Sequence, residues 1–262
     1  EEEGYQIPST YAELIDTMER IKKAGKLPIV FADKDSWTIH QGWDAIDMSS
    51  RGSQDDLFQN VLNGDAFLYE DSIALDSTRK FLEIRKYGQK QTVNTGYDDA
   101  VKKFANGEAY MFLQGNWAYP MIKKINPDID LLFMPFPAYH ENQAKVVAKI
   151  DATLGVSASC KHSEAAGQFL DYVFSKNISE YYADKAGAYS CINSVDVTDS
   201  YAKVFTDSIS KGDFFLEEFA YESEKSDARD ALFQNFVSSP QKDTEKSFLK
   251  ELNDLLILQK GD

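Results

Sequence analysis

Short apolar segments alternate with helix-forming segments over the first 160 residues, and this order restricts the fold more than any other feature of the chain. The apolar runs at 27–31 and 109–113 have the length of strands, and segments with helical periodicity lie between them. Strands that alternate with helices are typical of parallel sheets covered by helices. The sequence therefore predicts an α/β fold, followed by a region after residue 200 that is helical throughout.

Signals at the helix ends support this interpretation. Thr10 and Glu13 form a capping-box pattern ahead of the first helix, and Gly25 follows its last apolar position. Asp98 and Asp99 lie in the first turn of another helix, where the helix dipole favours negative charge. The further predicted helices cover residues 72–87, 97–106, 117–125, 163–173, 178–185, 201–210, 225–236 and 243–259.

Two more apolar runs, Leu131–Met134 and Thr153–Ser157, are predicted to be strands. The segment between them, 135–149, contains prolines and polar residues and is predicted to be a loop or a crossing segment. The segment 189–198 is predicted to be a second loop. A strand at 153–157 without neighbours would leave an open edge, which favours dimerisation or domain swapping.

Composition and charge exclude several classes of protein. The chain has 262 residues, of which 28 are basic and 43 acidic, so its net charge is −15, and 43% of its residues are hydrophobic. This apolar content is too high for a disordered chain. The negative charge disfavours nucleic-acid binding and docking on an anionic membrane. Cys160 and Cys191 are expected to be small buried residues, with a single disulfide as the alternative.

The sequence contains no recognised catalytic or cofactor-binding signature. His40, His140 and His162 have no metal-binding spacing and are expected to be surface or capping residues. The segment Asp33–Asp35 is only distantly similar to a calcium loop, because the glycine and the glutamate that such a loop needs are missing. No metal or cofactor is therefore predicted. A catalytic pair of carboxylates stays open, because 43 acidic residues supply many pairs.

Aromatic residues give the stronger functional signal. Trp117 follows the strand 109–113 after a glycine turn, and Trp37 follows the strand 27–31 after a polar segment. Ligands of open α/β sheets bind at the carboxyl ends of the strands. An aromatic face beside polar groups suits a sugar, although each tryptophan has a core or lid role as its alternative. Trp43 is predicted to be a core residue.

Two motifs identify a family. The segment 96–111 followed by Gly115-Asn116-Trp117-Ala118, and the start Pro8–Leu14, resemble the family 1 extracellular solute-binding proteins of ABC sugar importers. The resemblance implies a periplasmic-binding-protein-like α/β fold. It assigns 1–137 and 200–262 to the C-terminal lobe and 150–195 to a discontinuous second piece of the N-terminal lobe. The first part of that N-terminal lobe has no counterpart in this chain.

The resemblance also implies a function. It indicates the substrate-binding component of an ABC transporter, which captures a sugar or oligosaccharide and delivers it to a membrane permease without catalysing a reaction. The expected location is extracellular, as a cell-surface lipoprotein or a periplasmic protein, with the signal segment absent from a chain that begins Glu1-Glu2-Glu3. The alternative is a glycoside hydrolase or another carbohydrate-active enzyme.

The expected ligand-binding residues follow from the motif positions. Trp117 occupies the position of the family's sugar-stacking tryptophan, and Trp37 that of an aromatic residue after the early strand. Asp35 is expected to hydrogen-bond a sugar hydroxyl. The other candidates are Asn116 and Tyr119 beside Trp117, and Phe219 and Tyr221 before a late helix.

Overall fold

A computed structural model of the protein describes residues 4–51, 56–137, 144–149, 153–186, 190–192, 195, 203–217, 223–239 and 244–257. The strands among these residues are β1 (Leu27–Val30), β2 (Ala109–Phe112), β3 (Val146–Lys149) and β4 (Phe214–Glu217). The helices are α1 (Tyr11–Lys23), α2 (Trp37–Ser49), α3 (Leu57–Asn63), α4 (Ser72–Arg85), α5 (Tyr97–Ala105), α6 (Tyr119–Ile125), α7 (Ser163–Val173), α8 (Lys176–Ala186), α9 (Lys203–Ser210), α10 (Ser223–Ser238) and α11 (Thr244–Ile257).

The strands form two parallel pairs. In the first pair, Leu27 lies opposite Ala109 and Val30 lies opposite Phe112. In the second pair, β3 runs parallel to β4. The first pair confirms the predicted parallel arrangement, although the described part of the chain is mostly helical.

The capping box predicted for α1 is present. The Glu13 backbone N–H donates to the Thr10 hydroxyl, and the Thr10 backbone N–H donates to the Glu13 carboxylate, both at 3.3 Å. The buried face of α1, which includes Leu14, Met18 and Ile21, lies against the core beside β1. Local sequence signals and core packing therefore fix the same helix.

The main core joins helices from distant parts of the chain. The ring of Phe233 on α10 lies 5.9 Å from Trp43 on α2, 6.5 Å from Phe81 on α4 and 4.9 Å from Phe248 on α11. Trp43 is 1% exposed, and its indole N–H donates to the Thr78 hydroxyl at 3.0 Å. The prediction that Trp43 is a core residue is confirmed.

A buried ion network connects α2 with α4. Arg51 donates to both carboxylate oxygens of Asp47, at 2.6 and 2.9 Å, and to Asp71 at 2.8 Å. The same Asp71 oxygen accepts from the Ala74 backbone N–H at 2.7 Å and caps α4. Removing one partner of such a pair leaves an uncompensated buried charge, so the end of α2 and the start of α4 are held together.

Two predicted strands are wrong. Leu131–Met134 and Thr153–Ser157 form no regular secondary structure. Leu132 and Leu154 are more than half exposed, so neither run has the buried face that stabilises a strand. The predicted open strand edge at 153–157 is therefore absent.

The loop prediction for 135–149 and the all-helical prediction after residue 200 are wrong in part, because β3 and β4 lie in these segments and pair with each other. Trp37 follows β1 after the polar segment, as expected. It begins α2, a helix that is missing from the predicted set, and Trp43 lies in the middle of this helix. Strands β3 and β4 depend on each other although they lie far apart in sequence, and local patterns do not reveal such a partner.

The cysteines and histidines also differ from expectation. Cys160 and Cys191 are free, and neither is fully buried, so both interpretations of the pair are wrong. His162 is exposed at the start of α7, as expected, whereas His40 is buried inside the fold. His140 lies outside the described residues.

His40 is held as a neutral side chain by its surroundings. Its Nδ1 lies 2.9 Å from the carboxylate of Asp230, and its Nε2 lies 3.0 Å from the side-chain amide of Gln41. A neutral ring that accepts from the Gln41 amide at Nε2 carries its proton on Nδ1, which faces the Asp230 carboxylate without the alignment of a hydrogen bond. Burial lowers the pKa of His40 to about 4, although the Asp230 carboxylate opposes this shift.

This lowered pKa predicts a pH-dependent stability. Between about pH 4 and 6.5 the unfolded chain binds a proton at His40 that the folded chain does not, so acidification destabilises the fold. His40→Gln keeps a hydrogen-bonding amide but does not titrate. We expect the loss of unfolding free energy from pH 7 to pH 5 to be about 2 kcal/mol smaller in this variant, measured by chemical denaturation.

The matched control is His162→Gln, which changes an exposed histidine. It should show the same pH dependence as the unmodified protein. Equal pH dependence in His40→Gln and the unmodified protein would contradict the assignment of a neutral buried His40.

Candidate ligand-binding site

The parallel pairing of β1 and β2 places their carboxyl ends side by side. The chain leaves β1 through 31–36 and reaches Trp37, the first residue of α2. It leaves β2 through 113–115 and reaches Trp117 in a short 3-10 turn, Asn116–Ala118. Two tryptophans that are 80 positions apart in sequence are thereby brought to one edge of the sheet.

Three half-buried rings meet at this edge and are called the aromatic cluster: Trp37, Tyr97 and Trp117. The ring centroid of Trp37 lies 5.0 Å from that of Tyr97 and 6.3 Å from that of Trp117, with tilted planes in both pairs. None of the three rings is fully buried. The structure therefore brings together the two tryptophans that the sequence indicated and adds a tyrosine.

A buried ion pair holds the segment that follows β1. Arg85 donates to the carboxylate of Asp33, and its guanidinium lies 4.4 Å from the ring centroid of Phe31 and 4.9 Å from that of Phe81. Burial lowers the pKa of Arg85 to about 9, so it remains positively charged at pH 7. From α10, the side-chain amide of Gln234 donates to the backbone carbonyl of Asp33 at 3.1 Å.

Asp35 positions the tyrosine of the cluster. Its carboxylate accepts from the backbone N–H of Tyr97 at 2.6 Å, where α5 begins and the helix dipole favours a negative charge. Gln89 adds a second link, because its side chain bonds to the backbone of Phe31 and to the hydroxyl of Thr95. The expected hydrogen bond from a sugar hydroxyl to Asp35 stays a prediction.

Polar atoms of the cluster, and one in the loop that precedes Trp117, lack partners within the described residues. The Tyr97 hydroxyl, the Trp117 indole N–H and the side-chain nitrogen of Gln114 are buried and make no hydrogen bond there. Burial, assisted by the charge of Asp98, raises the pKa of Tyr97 to about 12, and the nearby Trp117 N–H opposes the rise. Unpaired buried donors are costly, and a ligand oxygen would satisfy them.

Close packing fixes the position of the Trp117 ring. A Cβ atom on Gly115 would lie only 2.1–2.4 Å from three carbon atoms of the indole, so the ring packs directly on the glycine backbone. The ammonium nitrogen of Lys149, at the end of β3, lies 5.3 Å from the centroid of the Trp117 ring. The carboxyl end of the second strand pair thus also reaches the cluster.

The remaining predicted residues are placed as follows. Asn116 begins the 3-10 turn that carries Trp117, and Tyr119 is the first residue of α6 with its ring 6.1 Å from Phe133. Phe219 and Tyr221 lie outside the described residues.

Sequence reasoning missed two residues of the site. Tyr97 belongs to the motif that identified the family, and its position at the start of a helix after a glycine was the available signal. The sequence predicts a loop at Lys149, and only the apolar run Val146–Ala148 indicates the short strand that carries it.

No group of three or more histidine, cysteine, aspartate or glutamate side chains in the described part of the chain is arranged to hold a metal ion. Across the same residues, no helix combines the length and the apolar character needed to cross a membrane.

Comparison with known proteins decides the family. The model of the family described as "bacterial extracellular solute-binding protein" matches residues 1–178, which is more than half of the chain. The chain belongs to this family. This confirms the resemblance found in the sequence, and nothing found supports the glycoside hydrolase alternative, because the family consists of solute-binding proteins.

Curated relatives are longer than this chain. A multiple sugar-binding protein of Streptococcus mutans is 27% identical over 197 residues, which cover 71% of this chain and 45% of that protein. An uncharacterised ABC transporter extracellular-binding protein of Pyrococcus horikoshii is 24% identical over 168 residues, which cover 63% of this chain and 36% of that protein. The chain therefore spans less than half the length of these relatives.

Solved structures confirm the periplasmic-binding-protein-like fold. The binding protein RafE in complex with raffinose superposes with a TM-score of 0.78 at 21% identity, covering 99% of this chain and 68% of that protein. A chitin oligosaccharide binding protein superposes with a TM-score of 0.76 at 18% identity, covering 97% of this chain and 65% of that protein. A sugar transporter protein of Bacillus licheniformis in complex with stachyose superposes with a TM-score of 0.76 at 19% identity, covering 97% of this chain and 68% of that protein.

The packing of Trp117 on Gly115 predicts the effect of one methyl group. Gly115→Ala should displace the indole, because its new Cβ overlaps the ring. The coupling between Trp37 and Trp117 in the near-ultraviolet circular dichroism spectrum should then weaken. The thermal midpoint should change little, since the ring is half-buried and displacement opens no core cavity.

Gly155→Ala is the matched control, because nothing lies within 4 Å of the Cβ position there. It should leave the spectrum unchanged. An unchanged spectrum in Gly115→Ala as well would contradict the described position of the ring.

Proposed function

We propose that this protein is the carbohydrate-binding component of an ABC importer and that the aromatic cluster forms one wall of its sugar site. The observation that carries the proposal is the meeting of three half-buried rings at the carboxyl edge of β1 and β2. Membership in the solute-binding family supports it, as do the raffinose and stachyose bound by structurally similar proteins and the sugar-binding relative of Streptococcus mutans.

The chemistry of the cluster suits a saccharide. A sugar ring presents C–H groups on its face, which pack on an indole, and hydroxyl oxygens on its edge, which need hydrogen-bond partners. The unpaired N–H groups of Trp117 and Gln114 are donors at this edge, and the Tyr97 hydroxyl both donates and accepts. Stacking and edge recognition would thus come from one group of residues, with Asp35 available to accept from a hydroxyl.

The division into lobes is part of this proposal. The segment 150–195 acts as the second piece of an N-terminal lobe, whereas 1–137 and 200–262 form the C-terminal lobe. Helix α7 has no buried residue among its eleven, and Phe169 and Tyr172 on it are about 60% exposed. These two rings are three residues apart and share one face of the helix, and exposed apolar faces mark interfaces. In the natural protein, further chain would cover this face and supply the opposite wall of the site.

The remaining assignments follow from the same function. The protein would act outside the cell membrane, as a lipoprotein or a periplasmic protein, and deliver its sugar to a membrane permease. In this chain studied alone, the exposed face of α7 favours dimerisation.

Replacement of Trp117 tests the proposed site. In the natural protein that contains this sequence, Trp117→Ala should weaken the affinity for saccharides by about thirtyfold, because removal of a binding hot spot costs about 2 kcal/mol. Calorimetric titration with raffinose, stachyose and chitin oligosaccharides measures this change. The thermal midpoint should fall little.

Trp43→Phe is the control, because Trp43 belongs to the core. It should lower the stability and leave the affinity unchanged. A large stability loss with unchanged affinity in Trp117→Ala would contradict the site, and failure of the unmodified protein to bind any saccharide would contradict the function.

The proposed lobe division predicts a difference in hydrogen exchange. Amides of α7 should exchange more slowly in the natural protein than in the isolated 262-residue chain, because burial of the apolar face stabilises the helix. Amides of α1, which is packed in both forms, serve as the internal reference. Equal exchange of α7 in the two proteins would contradict the proposed division.

A further inference from the structure

Lys149 is a cation without a carboxylate partner in the part of the chain that the structure describes. It ends β3 and is half-buried, with its ammonium nitrogen 5.3 Å from the centroid of the Trp117 ring. Lys145, four residues earlier, instead binds the carboxylate of Asp213. Lys149 thus has a different environment from the other lysine beside this strand.

Several acidic side chains near the site already bind other groups. Asp33 pairs with Arg85, and Asp35 accepts from the backbone of Tyr97. Asp230 is shared between His40 and Arg229. The charge of Lys149 also reaches His40, where it contributes to the lowered pKa of the imidazole. Among the residues that the structure describes, Lys149 therefore forms no direct ion pair, and its charge lies beside the aromatic cluster.

The contact with Trp117 satisfies this ammonium only in part. A lysine ammonium carries three N–H donors, whereas an aromatic face attracts the charge without accepting a directed hydrogen bond. If a sugar stacks on the same face, the ammonium must leave it. The flexible four-carbon stem of a lysine lets the ammonium move to the edge of the sugar, where the oxygen atoms are.

We propose that Lys149 is a ligand-binding residue whose ammonium leaves the Trp117 face when a sugar stacks there and donates to an oxygen of that sugar. This inference rests on the proposed function and extends it, because it assigns the specificity of the site to a residue of the second strand pair. The oxygen belongs to a hydroxyl or to the carboxylate of an acidic sugar. These two sources are separated by comparing matched sugars.

The experiment compares three variants of the natural protein by calorimetric titration. Lys149→Met keeps the apolar stem and removes the donors, and it should weaken sugar binding by about tenfold, as expected for a hydrogen bond from a charged donor. Lys149→Arg retains the donors and should restore most of the affinity. Lys145→Met makes the same charge change on the other lysine and should leave the affinity unchanged.

The probes are stachyose, a galactose disaccharide and the corresponding galacturonic acid disaccharide. An equal loss for neutral and acidic probes in Lys149→Met assigns the contact to a hydroxyl, and a larger loss for the acidic probe assigns it to a carboxylate. Equal or tighter binding of every probe by Lys149→Met would overturn the inference, because Lys149 would then only shield the ring. Absence of binding by the unmodified protein would instead contradict the proposed function itself.

Discussion

The parallel pairing of β1 with β2 is the constraint on which the site depends. The register Leu27 opposite Ala109 and Val30 opposite Phe112 makes both strands end at the same edge. The loops that leave the two strands therefore start next to each other, although they are about 80 residues apart in sequence. Because each loop is short and ends in a helix or a turn, Trp37 and Trp117 have little freedom and meet at 6.3 Å.

Buried polar contacts then fix the loops, whereas sugar recognition needs groups that remain unsatisfied. The Asp33–Arg85 pair and the bond from Asp35 to the start of α5 hold the segment after β1 on both sides. These contacts stabilise the loop and engage the carboxylates of Asp33 and Asp35. Within the described residues, the buried donors of the cluster make no hydrogen bond and Lys149 forms no ion pair, which is why we propose that a ligand binds there.

Local sequence signals were sufficient for one strand pair and for the helices other than α2 and α3. The capping box of Thr10 and Glu13 fixed the start of α1, and the apolar runs 27–31 and 109–113 became β1 and β2. The pairing of β3 with β4 was not predicted, because β3 lies in a segment with prolines and polar residues and β4 lies between two helices, so local patterns indicated a loop and a helical region instead. The predicted strand 153–157 failed for the opposite reason, since an apolar run without a partner does not form a strand. For the site, the turn before Trp117 was a local signal, but Lys149 depends on the non-local pair.

Fluorine nuclear magnetic resonance of 5-fluorotryptophan measures the central claim most directly, because Trp37, Trp43 and Trp117 each give a resonance that single variants assign. The natural protein would be labelled, assigned by single Trp→Phe variants, and titrated with the saccharide that it binds. The account expects the Trp37 and Trp117 resonances to shift at saturation while that of Trp43, buried in the core, stays in place. A saturating saccharide that shifts neither Trp37 nor Trp117 would contradict the claim that the aromatic cluster contacts the sugar.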